Sequence, residues 1–163
     1  MEKRPVILVV DDEEPMLKLL RANLSVEGYQ VVTTSNGMSA LDLLEEYKPD
    51  LIVLDIMMPW QDGFQVLDLI RKRSSVPVIM LTAKSEVISL QRALFGGADD
   101  YMTKPFSILV LTARIRAKLR RAMPGIFGQN MQVKVSKGTT RLIRCGYQGD
   151  ARPHHSAVKA EAG

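Results

Sequence analysis

Three short runs in this chain are apolar at nearly every position: Val6-Ile7-Leu8-Val9-Val10, Leu51-Ile52-Val53-Leu54 and Val76-Pro77-Val78-Ile79-Met80-Leu81. Each is short and rich in β-branched residues, so each reads as a strand. A strand that is apolar on both faces must be covered on both, which is how a parallel sheet between two helical layers is built. The intervals supply the helices. Met16, Leu20 and Leu24 recur every four residues, Ala40, Leu41 and Leu44 mark a second helical segment, and Gly63, Leu67 and Ile70 a third. Val87, Leu90 and Leu94 predict a fourth, and Ile108, Leu111, Ile115 and Leu119 a fifth. With two further strands at Gln30–Thr34 and 99–102, the chain is expected to form a doubly wound α/β domain. Gly28 is placed to end the first helix, Pro49 precedes the third strand, and Gly96-Gly97 stops the fourth helix.

This pattern stops near residue 122. Residues 125–163 hold six of the eleven glycines, and only Gln132–Ser136 with Thr140–Arg144 suggests further structure, a short hairpin. Charge divides at nearly the same place. Residues 1–113 carry 11 Lys+Arg against 16 Asp+Glu, whereas residues 114–163 carry 11 against 2. The formal net charge of +4 therefore belongs to the last third, and it is weak support for nucleic-acid binding by the domain itself. A single cysteine, Cys145, allows no internal disulfide, no apolar run approaches the length of a membrane span, and the N-terminus has no signal-peptide pattern. The expectation is a cytoplasmic protein with no membrane contact, comprising a domain at 1–122 and a basic, glycine-containing tail at 123–163.

In an open α/β sheet, ligands bind beyond the carboxyl ends of the strands. There the first strand runs into Asp11-Asp12-Glu13-Glu14, the third ends at Asp55, the fourth at Thr82-Ala83, and the fifth leads to Lys104-Pro105. Carboxylates brought together repel one another unless a cation joins them, and a hard divalent ion such as Mg2+ accepts carboxylate oxygens while keeping several waters. The Lys104 ammonium and Thr82 hydroxyl would suit a phosphoryl group. Taken singly, each residue has a plainer role. The acidic run could cap the first helix, Thr82 could be a strand-end hydroxyl, Tyr101 half-buried packing, and Lys104 a solvated loop lysine.

Taken together and in order, these segments resemble a response-regulator receiver domain. The residues that carry the resemblance are Val10-Asp11-Asp12-Glu13, Leu54-Asp55-Ile56-Met57-Met58-Pro59 with Gly63, Leu81-Thr82-Ala83, and Gly97-Ala98-Asp99-Asp100-Tyr101-Met102-Thr103-Lys104-Pro105-Phe106. The resemblance implies a flavodoxin-like sheet of order 2-1-3-4-5 with helices on both faces. It makes Asp55 the acceptor of a phosphoryl group from a sensor histidine kinase. Mg2+ would be held by Asp11, Asp12, Asp55 and the Met57 carbonyl. Lys104 would bridge Asp55 and the phosphoryl oxygens across a cis Lys104-Pro105 bond, and Thr82 and Tyr101 would form the switch. Such a domain is a phospho-accepting switch rather than an enzyme acting on a separate substrate.

The spacing from Lys104 to Arg121 looks like the OmpR/PhoB subfamily, whose receivers dimerise through the fourth helix, fifth strand and fifth helix. Asp100 and Arg114 fit its charged pattern, whereas Leu90, Leu94, Phe95 and Val110 predict an apolar contribution to a homodimer or partner interface. Met57 and Lys84 stand where the family orients a hydrolytic water, which implies slow dephosphorylation. Trp60 replaces a small residue after Pro59. The 39 residues after Pro124 are too few for the subfamily's winged-helix effector. His154-His155 is only a weak metal signal. The alternative is a DNA-binding transcription regulator with a truncated effector domain. A Mg2+-dependent phosphohydrolase is opposed by Met57, where that chemistry uses a second Asp.

Overall fold

A computed structural model describes residues 4–59, 61–83 and 96–127. The elements run β1 (Val6–Val10), α1 (Glu14–Val26), β2 (Gln30–Thr34), α2 (Gly37–Tyr47) and β3 (Leu51–Asp55). A two-residue antiparallel ladder follows, β4 (Met57–Met58) with β5 (Gln61–Asp62), then α3 (Gly63–Arg71), β6 (Val78–Ala83) and β7 (Asp100–Lys104). The last helix, α4, spans Ile108–Ala122, and a single turn, α5, spans Pro124–Phe127. Five strands make one parallel sheet in the order β2-β1-β3-β6-β7. Setting aside the small ladder, which periodicity did not reveal, this is the predicted order 2-1-3-4-5.

The strand pleat sends alternate residues to opposite faces. On one face Leu8, Val10, Ile52, Leu54, Val78 and Met80 pack with residues of α2 and α3. On the other, Ile7, Val9, Leu51, Val53, Ile79 and Leu81 pack with Leu17, Leu20 and Leu24 of α1 and Leu111, Ile115 and Leu119 of α4. The all-apolar strands are thus buried on both sides, as their composition requires.

Local chemistry sets the element ends. Gly28, at φ +92°, takes the left-handed conformation after α1. The Asn36 side chain accepts from the Met38 and Ser39 backbone N–H groups, at 2.8 and 3.4 Å, and caps α2. Asn36→Ala is expected to cost about 1 kcal/mol, read from urea denaturation midpoints. The last strand is displaced from its predicted bounds of 99–102. It starts at Asp100 and continues to Lys104, because its ladder with β6 extends through Thr82–Thr103 and Ala83–Lys104. The apolar run at 76–81 gives a strand that starts two residues into it, at Val78, and runs on to Ala83. The fourth predicted helix and the hairpin at 132–144 lie outside the described residues.

Arg71, ending α3, ties three segments together. Its guanidinium donates to the carbonyl oxygens of Gly97 (2.8 Å) and Val76 (2.7 Å) and to Asp99 Oδ2 (2.8 Å). The same Asp99 oxygen accepts from the Val78 N–H at 2.8 Å, so one carboxylate joins the start of β6 to the approach to β7.

Candidate functional site

Three of the four buried polar side chains among the described residues, Asp11, Asp55 and Thr82, lie at the carboxyl ends of strands. Asp11 follows β1, Asp55 ends β3, and Thr82 is the next-to-last residue of β6. Parallel pairing sets them side by side, with Asp55 opposite Leu81 and Val10 opposite Leu54. Lys104 reaches the same edge from the end of β7, across a cis Lys104-Pro105 bond. Its Nζ donates to Asp11 Oδ2 at 2.9 Å, Asp55 Oδ2 at 3.1 Å and Glu13 Oε1 at 3.3 Å.

Burial raises the Asp55 carboxyl above its ordinary value, against the opposing attraction of Lys104, and the Asp11 charge adds to the rise. For Lys104, burial alone would lower the ammonium. Its hydrogen bonds and charge interactions with Asp11 and Asp55 outweigh burial, so the net shift is upward. Lys104 therefore carries a fixed positive charge at neutral pH. Asp11 Oδ1 also holds the Glu13 N–H at 2.9 Å, and Asp55 Oδ1 holds the Met57 N–H at 3.3 Å. The turns after β1 and β3 are thereby fastened to the carboxylates themselves.

One carboxylate oxygen each from Asp11, Asp12 and Asp55 can be chosen so that all lie within 4.8 Å of one another. Three hard oxygen donors facing a single ammonium leave net negative charge, which fits a hard divalent cation of the Mg2+ type. Gly63 is what allows α3 to start against this centre. A Cβ there would overlap the Asp55 carbonyl oxygen and lie 2.7 Å from Ile56 Cα. Asp62 caps the same helix, accepting from the Phe64 N–H at 2.9 Å.

The structure brings together Asp11, Asp12, Asp55 and Lys104 from the sequence-predicted set. Thr82 is buried beside them, but its hydroxyl donates to the Ala83 carbonyl at 3.1 Å rather than to a site carboxylate. Tyr101 is half-buried, against the α2–α3 side of the core. The Met57 side chain is exposed. Among the interface candidates, Val110 is exposed, and Arg114 pairs with Asp100 within the chain at 2.6 Å. Leu90, Leu94 and Phe95 lie outside the described residues, as do Lys84 and Trp60. Glu13 is the member that sequence reasoning passed over, because an acidic residue before a helix reads first as a cap.

Residues 7–116 match the family model described as the response regulator receiver domain. The chain belongs to that family. It is similar to the "Probable transcriptional regulator ycf27" of Guillardia theta, 48% identical over 131 residues that make 80% of this chain and 52% of the relative. The chain thus spans about half the length of that curated relative. Among solved structures, the Francisella response regulator 1452 receiver domain has a TM-score of 0.68 at 34% identity, covering 72% of this chain and 98% of the other. The BeF3-activated N-terminal receiver domain of Klebsiella pneumoniae RstA has a TM-score of 0.67 at 33% identity, covering 71% and 98%. The doubly wound, flavodoxin-like sheet is therefore that of a receiver, a class of signalling switch acting in two-component phosphorelays. No helix among the described residues is long and apolar enough to cross a membrane.

Proposed function

We propose that this chain is a cytoplasmic phospho-accepting switch in which Asp55 takes a phosphoryl group from a sensor histidine kinase. The observation that carries this reading is the Lys104 ammonium bonded at once to Asp55 and Asp11, in a cluster of strand-end carboxylates. An Asp55 carboxylate oxygen attacks the phosphorus of a phosphohistidine. The new O–P bond forms as the P–N bond breaks, and the histidine nitrogen leaves to be protonated. Lys104, already bonded to Asp55 Oδ2, is placed to meet the phosphoryl oxygens and stabilise their charge. Asp11, Asp12, Asp55 and the Met57 carbonyl would hold Mg2+, which when bound neutralises charge on the transferred group. The protein catalyses only its own phosphorylation and dephosphorylation.

In this reading Thr82 turns its hydroxyl from Ala83 toward the phosphoryl group and Tyr101 follows inward. The face that includes Asp100, Val110 and Arg114 then changes and supports a homodimer, with Leu90, Leu94 and Phe95 adding apolar surface. Residues 1–122 act as the receiver and 123–163 as a basic tail. The name of the Guillardia relative favours a second reading, a transcription regulator whose output is DNA binding. That reading requires binding that weakens steeply with salt and survives deletion of residues 1–122.

The acceptor reading is tested by incubating the protein with acetyl phosphate and Mg2+ and measuring intact mass. One phosphoryl group is expected on the wild type, none with chelator, and none on Asp55→Ala. Equal uptake by Asp55→Ala would overturn the assignment.

A further inference from the structure

Glu13 is the N-cap residue of α1, yet its side chain makes no capping bond. Its backbone N–H is held by Asp11, and its carboxylate extends instead to Lys104, at 3.3 Å. A lysine ammonium has three N–H donors, and Lys104 meets three carboxylates, those of Asp11, Asp55 and Glu13. A phosphoryl oxygen that bonds to Lys104 must therefore displace one of them. The three are unequal. The side chains of Asp11 and Asp55 are 0% and 3% exposed, whereas that of Glu13 is 59% exposed. Asp11 is fully buried and Asp55 is the reacting group itself, whereas Glu13 can withdraw into water and give up only an exposed ion pair.

We propose that Glu13 is a positioning residue that holds the third donor of Lys104 until the phosphoryl group replaces it. This rests on Asp55 being the acceptor. Glu13 keeps the ammonium from swinging away from Asp55, and it also competes with the incoming anion for the same N–H. Because the competing carboxylate is exposed, its effect must be modest and screened by salt.

Glu13→Gln keeps the side-chain shape and removes the charge. Two measurements at saturating Mg2+ test the proposal: the rate of phosphorylation by acetyl phosphate, and the affinity for BeF3, a phosphoryl mimic, by calorimetry. At low ionic strength the variant is expected to react and to bind BeF3 about three- to fivefold better than wild type, the range of an exposed ion pair. At high ionic strength the gain should fall to within about twofold. Glu13→Ala should show the same salt-dependent gain, which separates charge from packing. Wild-type rate and affinity for both variants at low salt would overturn the proposal, as would a gain unaffected by salt. Slower reaction by both variants would also overturn it, by showing that Glu13 assists the group it is said to oppose. Uptake of neither phosphoryl nor BeF3 by any of the proteins would overturn the acceptor reading and this proposal with it.

Discussion

Lys104→Met is expected to remove about 3 kcal/mol of folding stability in chelator at neutral pH, because it leaves buried carboxylates without their cation. Asp11 and Asp55 are both buried, and each gives an oxygen to the Lys104 ammonium. The loss should depend on pH. Asp55 sits above its ordinary value of 3.8, so the folded state already prefers it protonated, and stability falls as pH rises from 3.8 through the folded value. Without Lys104 that window extends upward, and the gap between variant and wild type widens from acid toward neutral pH. The ammonium itself is raised above 10.5, so its contribution is fully present below 10.5 and is lost only as pH rises through its folded value. Mg2+ should restore more stability to the variant than it adds to wild type, since a divalent cation replaces the missing charge. Urea melts at several pH values, with and without Mg2+, read all three effects. A stability gap constant from acid to neutral pH would show that Lys104 acts through packing instead. Phosphorylation by acetyl phosphate should slow about a hundredfold, the scale of losing one preorganised donor.

Gly63→Ala is the second large effect, expected to cost about 3 kcal/mol and to slow phosphorylation as well. The added Cβ meets the Asp55 carbonyl oxygen and Ile56 Cα, both backbone atoms that no rotamer change can move. Relief requires shifting either α3 or the acceptor strand. Gly37→Ala is the internal comparison. Its Cβ meets Gln61 Oε1 at 2.5 Å, the end of a flexible side chain, and Val66 Cγ2 at 2.6 Å, a buried branched one that must shift, so the cost should be smaller than at Gly63, about 2 kcal/mol. Equal losses at the two glycines would remove the backbone argument.

The all-apolar runs at 6–10 and 51–54 were legible because burial on both faces leaves a sequence with no alternation to misread. The last strand was harder. Thr103 and Lys104 are polar and look like loop, yet pairing with β6 carries them into the sheet. The carboxylates after β1 and β3 could be read from strand ends alone, and Lys104 could be assigned with the family resemblance in hand. The Glu13–Lys104 contact could not, since it joins residues 91 apart and the local pattern around Glu13 already has an explanation as a helix start. The need for glycine at 63 was equally hidden, because the obstacle is the backbone of a different strand. The Met57–Met58 ladder is too short to leave any periodic trace.

The Arg71–Asp99 tie clamps the end of the sheet opposite the acceptor carboxylates. Asp99 Oδ2 accepts from both Arg71 and the Val78 N–H, where β6 begins, and Arg71 also holds the Gly97 carbonyl. Strands β6 and β7, which carry Thr82 and Lys104 near their other ends, are therefore pinned to each other at their amino ends. A change of charge around Lys104 is thus met by strands already clamped at the far edge of the sheet, so the carboxyl ends can adjust without loosening the pair.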